Sequence, residues 1–407
     1  MAEARARAAE APRDAPRAFE LGVALRRAGR ADDAARALAL AVALGGGRDV
    51  GRFAQWEIAR VHTDKHDLNR AVAACRVLER GAGAAFAHVC IAEAQLGPRR
   101  AGEALAEIAL AKVDGAPAAI RVRAKIVSGL AHELELKDDL AEADLREAAR
   151  MDPQSADAAF ALGRLLARMQ KAGEAELRRA VSLEPHDAFA LVELARALGP
   201  TDEARALLER AAVDRPADPA AERALAELHL AKGRLAEAKR AAEAALAIDP
   251  RDVVTRVVHG RVLLAEGKNA EARREGEAAL AVQPNSAPAK LVVADAWAAE
   301  GEVDLAIEAY QAAYGLDHTS PDPLLRAAHA CLAARRPTSA RAFALRATQD
   351  FADFGPAWES FGDALDRDAE HGAAAEAYAK ALAAPKGAID RGAVEQKQRR
   401  SAAARRP

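Results

Sequence analysis

The chain has 407 residues, 51% of them hydrophobic but only 4% aromatic, so alanine carries most of the apolar content. Alanine costs no side-chain entropy in a helix, and a large sheet wants the β-branched and aromatic residues that are scarce here, so the composition favours an all-α fold. The 59 basic side chains balance 61 acidic ones, which leaves no global attraction for nucleic acid or anionic lipid.

The first residues, MAEARARAAEAPRD, are charged and lack an apolar core. Residues 1–14 therefore read as a frayed or capping helix and not as a secretory signal. No run of about 18 apolar residues follows, so no membrane insertion is expected and a cytoplasmic location is the default. Cys75, Cys90 and Cys331 are too few and too scattered for a disulfide framework. Each is expected to pack as a small buried hydrophobe.

From about residue 15 the chain repeats itself. GRLAEAKRAAEAALAIDP at Gly233–Pro250 returns as GKNAEARREGEAALAVQP at Gly267–Pro284, 34 residues on. Extended outward, the pattern gives units of two short amphipathic helices. The first helix carries a small residue at its centre, as at Gly22, Ala59, Ala92, Gly129, Gly163, Gly260 and Gly362. The second opens near an alanine (Ala34, Ala71, Ala104, Ala141) and carries another seven residues later (Ala41, Ala111, Ala148). The small residues belong where helix backbones meet. Gly29, Gly233, Gly267 and Gly301 fall between the two helices, where a helix end favours positive φ. Pro153, Pro185, Pro216, Pro250 and Pro284 stop five second helices.

Period, central small residue, paired alanines and closing proline recur in phase, and together they resemble the tetratricopeptide repeat family, bacterial type. The resemblance covers about residues 15–388 as roughly eleven units. It implies an α-α superhelix, a right-handed solenoid whose first helices line a concave groove. The departures are local. The large aromatic that the family places early in the first helix appears only at Trp358. Units beginning near 156 and 188 are short, and Gly45-Gly46-Gly47 reads as a linker. Residues 389–407 read as a capping helix that finishes as a disordered basic tail with Lys397, Arg399, Arg400, Arg405 and Arg406.

A search for chemistry finds little. His62 and His66 are four apart, but at a helix end and without the glutamate of a zinc protease. No phosphate-binding glycine loop, dinucleotide fingerprint or nucleophile elbow is present. The chain is read as non-enzymatic, with no cofactor and no metal.

The family pattern points the second, fifth and ninth positions of each first helix into the groove. In the first six units these slots hold Phe19, Phe53, Trp56, Arg60, Phe86, Val89, Ile126, Phe160, Arg164, Phe189 and Arg196. Toward the C-terminus they hold Asp322, Glu359 and Asp363. The resemblance thus implies a two-toned groove: apolar anchors edged by arginine for an amphipathic helix or extended peptide, then an acidic end for a basic segment. The alternative is that the aromatics pack between neighbouring first helices. The function implied is a scaffold that binds partner proteins and assembles a complex, with no nucleic acid expected and no oligomer indicated. The rivals are a docking subunit of an enzyme complex and an RNA-binding helical repeat.

Overall fold

The computed structural model describes residues 2–80, 83–97 and 99–404. These residues are helical throughout, and their only β feature is an isolated bridge between Phe354 and Lys386. The chain divides into two compact units, Met1–Leu228 and His229–Pro407.

In the first unit, α1 (Ala2–Glu10) precedes six helical pairs. They are α2 (Ala15–Arg27) with α3 (Ala31–Gly45), α4 (Asp49–Asp64) with α5 (Leu68–Arg76), and α6 (Ala84–Leu96) with α7 (Ala101–Ala111). Next come α8 (Ala118–Leu134) with α9 (Asp138–Met151), α10 (Ala156–Arg168) with α11 (Glu174–Leu183), and α12 (Ala188–Ala197) with α13 (Asp202–Asp214). The unit boundary falls inside α14 (Ala220–Ala231), which is followed by α15 (Leu235–Ile248). The second unit continues with α16 (Val253–Ala265) and α17 (Asn269–Val282), then α18 (Ala287–Glu300) and α19 (Val303–Leu316). It closes with α20 (Asp322–Ala333) and α21 (Pro337–Asp350), α22 (Gly355–Arg367) and α23 (His371–Ala383), and α24 (Arg391–Ala404). This is an all-α helical-repeat solenoid of eleven helical pairs among the described residues, with one extra helix at each end.

Local signals explain where the helices begin and turn. Asp67, Ser155, Asp187, Thr201, Asp252 and Ser286 accept backbone N–H bonds at the starts of α5, α10, α12, α13, α16 and α18. Every turn inside a pair contains one residue with left-handed backbone. Glycine supplies it at Gly29, Gly199, Gly233, Gly267 and Gly301. His66, Arg99, Leu136, Gln170, Arg335 and Ala369 adopt the same conformation in the other six turns. The geometry is therefore stricter than the glycine pattern that signals it.

The alanines of the second helices form the seams. Ala34, Ala71, Ala104, Ala141, Ala204, Ala238, Ala272, Ala306, Ala340 and Ala374 are all fully buried. The central glycines of the first helices have a more specific task than letting backbones meet. A methyl group on Gly22 would lie 2.5 Å from Leu38, on Gly129 2.6 Å from Leu145, and on Gly362 2.6 Å from Tyr378. Each glycine receives a bulky side chain of its own second helix. The Gly45–Gly47 stretch is also tighter than a linker, since a Cβ on Gly51 would collide with the carbonyl of Gly46. That contact lets α3 and α4 meet backbone to backbone.

Two readings need correction. Cys75 on α5 and Cys90 on α6 are joined by a disulfide, with Cα atoms 5.5 Å apart, so only Cys331 packs as a buried free thiol. The α5 helix is short and gives way to a 3-10 turn at Val77–Arg80, which brings the two cysteines face to face. The C-terminal basic segment is helical as far as Ala404, with Val394 and Ser401 buried, so it is not a disordered tail there. Arg405 and Arg406 lie outside the described residues. No helix is long and apolar enough to cross a membrane.

Candidate partner-binding groove

The first helices of unit one converge on a common inner face. Side chains from α2, α4, α6, α8, α10 and α12 line one cavity of about 320 Å³, and α2, α4, α8 and α10 line a second of about 220 Å³. The inner face closes on itself. Arg27, at the end of α2, donates to Glu184 Oε1 at 2.8 Å, across 157 residues of sequence. Burial pushes the Glu184 carboxyl above its ordinary range, and Arg27 only partly opposes that.

A ladder of charges crosses the middle of this face. Arg26 Nε donates to Glu57 at 2.8 Å, and Arg60 donates to Glu57 at 2.7 Å and to Glu93 at 2.8 Å. Arg123 reaches Glu93 through Nε at 3.0 Å and also bonds Asp157. The Trp56 indole N–H donates to Glu93 at 2.8 Å. Three arginines and three carboxylates therefore neutralise one another inside the groove. Burial acts against the Glu57 charge, but Arg60 and Arg26 outweigh it and hold that carboxyl below its usual range. Burial dominates at Glu93 and raises it, with Arg60 and Trp56 pulling it back only in part. Arg60 is held more firmly protonated than usual: its burial is outweighed by Glu93, Glu57 and Asp157.

The residues of unit one expected in the groove divide into four groups. Trp56, Phe86, Val89 and Ile126 are 5%, 3%, 0% and 3% exposed and belong to helix–helix cores. Phe53 packs on Phe86 with ring centroids 5.8 Å apart, and Phe19 and Phe53 line the smaller inner cavity while remaining partly accessible. Arg60 belongs to the ladder. The remaining four, Phe160, Arg164, Phe189 and Arg196, come together with Val192, Arg215 and Arg223 in an adjoining pocket of about 250 Å³, which shares Phe160, Phe189 and Arg215 with the larger cavity. Phe189 is 48% exposed there, and the Arg215 guanidinium lies over its ring at 4.4 Å.

In unit two Glu359 and Asp363, two of the three acidic slots, are already engaged, as is Asp295. Asp295 accepts from the Tyr310 hydroxyl at 2.7 Å and pairs with Arg326, while Asp363 accepts from Tyr378 at 2.8 Å. Helix α24 covers the acidic end. Lys397 Nζ donates to Glu359 and to Asp363, both at 2.8 Å, and the Ser401 hydroxyl donates to Asp366 at 2.7 Å. Asp322 stays exposed, 3.9 Å from Arg326. Among the described residues no group of three or more His, Cys, Asp or Glu is placed to hold a metal. His62 lies in α4, while His66 sits in the left-handed turn beyond it.

Sequence reasoning missed the ladder, the Arg27 clasp and the disulfide. A signal for the ladder was available: Arg26, Arg60 and Glu93 are spaced by about one period, as are Arg123 and Asp157. One period places residues side by side on adjacent first helices. The clasp spans more than four periods and leaves no such trace.

Helical pairs stacked in register, with an inner face built by the first helix of each, define a helical-repeat solenoid. The tetratricopeptide repeat model matches residues 189–253 and 257–321, so this stretch of the chain is built of tetratricopeptide repeats. No curated protein matches its sequence. Among solved structures it is similar to yeast Tom70 at 12% identity, over 96% of this chain and 95% of that one, with a TM-score of 0.53. It is also similar to a monomeric mutant of IFIT1, a human protein, with Gppp-AAAA. There the identity is 16%, the cover 81% of this chain and 90% of that one, and the TM-score 0.50. At such identities the likeness concerns the fold.

Proposed function

We propose that the protein is a non-enzymatic interaction scaffold that binds a partner segment on the inner face of its first unit and so assembles a larger complex. One observation carries this reading: Phe189, a half-exposed aromatic, stands beside Phe160 in a pocket edged by arginine. Large apolar side chains left accessible in a concave, arginine-edged site are the usual anchors of protein recognition. The central stretch of the face is filled by its own charge ladder, and the acidic end of unit two is covered by α24. Binding is therefore assigned to the Phe160–Phe189 mouth, with Phe19 and Phe53 as a secondary apolar contact. Asp322, Glu359 and Asp363 are assigned no partner besides the chain itself.

Affinity purification from the source organism, with wild type and Phe189→Ala in parallel, tests the proposal. Proteins retained by the wild type and lost from the variant support it. An identical set on both places recognition elsewhere, and material released by ribonuclease favours an RNA-binding role.

A further inference from the structure

The smaller inner cavity of unit one, about 220 Å³, is walled by aromatic and branched apolar side chains. Phe19, Phe53 and Trp56 come from α2 and α4, and Ile120, Val122 and Ile126 from α8. The aromatic wall is fixed from behind: Phe53 and Trp56 both pack on Phe86, with ring centroids 5.8 and 6.3 Å away. The polar side chains of the lining are Glu57, Arg60, Arg123, Asp152, Ser155 and Asp157, and each already has a partner. Glu57, Arg60, Arg123 and Asp157 bond one another or Glu93 in the ladder. Asp152 and Ser155 accept the backbone N–H groups of Gln154 and Ala158. Trp56, Arg60, Arg123 and Asp157 also line the larger cavity, so the ladder stands between the two and closes the smaller one on that side.

We infer that this cavity binds a small, uncharged aromatic molecule of one or two fused rings. An apolar cavity of about 150 Å³ takes benzene, so about 220 Å³ leaves room for a second ring. Three aromatic side chains on one wall offer the edge and face contacts that such a ring prefers. Charge is disfavoured. An anion would find Arg60 and Arg123 already matched by Glu57, Glu93 and Asp157, and a cation would find only Asp152, engaged by the Gln154 N–H. A polypeptide segment would bury backbone N–H and C=O groups here without partners, and a free ring has none to bury. The inference goes beyond the scaffold reading, in which Phe19 and Phe53 are a secondary contact, and it can fail while recognition at Phe189 stands.

The test is titration calorimetry of indole into the full chain, with indole-3-acetate and tryptamine as its charged counterparts and a capped Gly-Trp-Gly peptide alongside. The variants are Ala119→Trp, Phe19→Ala and Phe189→Ala, each checked for helical content. Ala119 is exposed on the cavity lining, so a larger side chain there fills the mouth without entering a core. We expect saturable binding of one indole, unchanged by salt and by Phe189→Ala and abolished by Ala119→Trp. Phe19→Ala removes one ring of the wall and should weaken it about threefold or more. Both charged counterparts should bind about tenfold more weakly or worse. Absence of saturable binding overturns the inference, as does binding that survives both Ala119→Trp and Phe19→Ala or is lost in Phe189→Ala. A charged counterpart that matches or exceeds indole overturns the uncharged class. A capped peptide that binds more tightly than indole overturns the free molecule and gives the cavity to a partner's side chain.

Discussion

Arg27 and Glu184 meet at 2.8 Å although 157 residues separate them, and with that contact the first unit curls back until its first helical pair touches the fifth. Both groups are partly exposed, so the pair itself contributes little stability, about 0.2–1 kcal/mol. Its effect is on curvature. With spin labels at Ala28 and His186, Arg27→Ala should lengthen and broaden the measured distance while melting barely changes. An unchanged distance distribution would show that helix packing alone sets the curl.

Glu93 lies between Arg60 and Arg123, and removing one member of a buried charge network leaves the others uncompensated. Glu93→Ala should cost about 3–5 kcal/mol in urea unfolding, the range for breaking a buried pair. Asp157→Asn, at the more exposed end of the ladder, should cost much less. Glu57 adds a pH signature. Its lowered pKa contributes stability that is present above the unfolded glutamate value of about 4.3 and is lost as pH falls through the lower folded value. The stability difference between wild type and Glu57→Gln should shrink over that acid window.

The Cys75–Cys90 bridge closes a loop of 15 residues between two packed helices. Chain entropy gives such a loop about 3 kcal/mol. Dithiothreitol, or a Cys75→Ser and Cys90→Ser double variant, should lower stability by about that amount. Intact-mass analysis without reductant should find two hydrogens fewer than the free-thiol chain.

The glycine rules predict opposite signs at two sites only a few residues apart. Gly129→Ala drives a methyl against Leu145 and should cost about 1–3 kcal/mol, as overpacking does. Leu136→Gly should do the reverse. Leu136 is exposed and holds φ near 61°, so glycine there should gain about 1 kcal/mol in thermal or urea unfolding.

The fold was legible in the sequence because each repeat states its own packing. The buried alanines sit at the positions the period gives, and the pairing of helices follows from short turns. What was not legible depends on contacts between units of the repeat. Phe86 and Val89 occupy groove slots by pattern but turn into the seams between helices, while Trp56 and Ile126 are buried yet still line the smaller inner cavity, Trp56 through its bond to Glu93 of the charge ladder. Phe189 remains exposed at the end of that ladder, where α12 is short and Arg215 covers only one face of its ring. Slot position alone does not distinguish the two cases. The acidic C-terminal slots were expected to suit a basic segment from a partner; Glu359 and Asp363 are instead held by Lys397 of the chain's own α24.

Hydrogen exchange of the full chain with and without a saturating partner recovered by the affinity purification tests the central claim most directly. Recognition at the Phe189 mouth predicts slowed exchange in α10, α12 and the turn after α13, with α22 to α24 unchanged. Protection confined to α22–α24, or to the outer second helices, would contradict it.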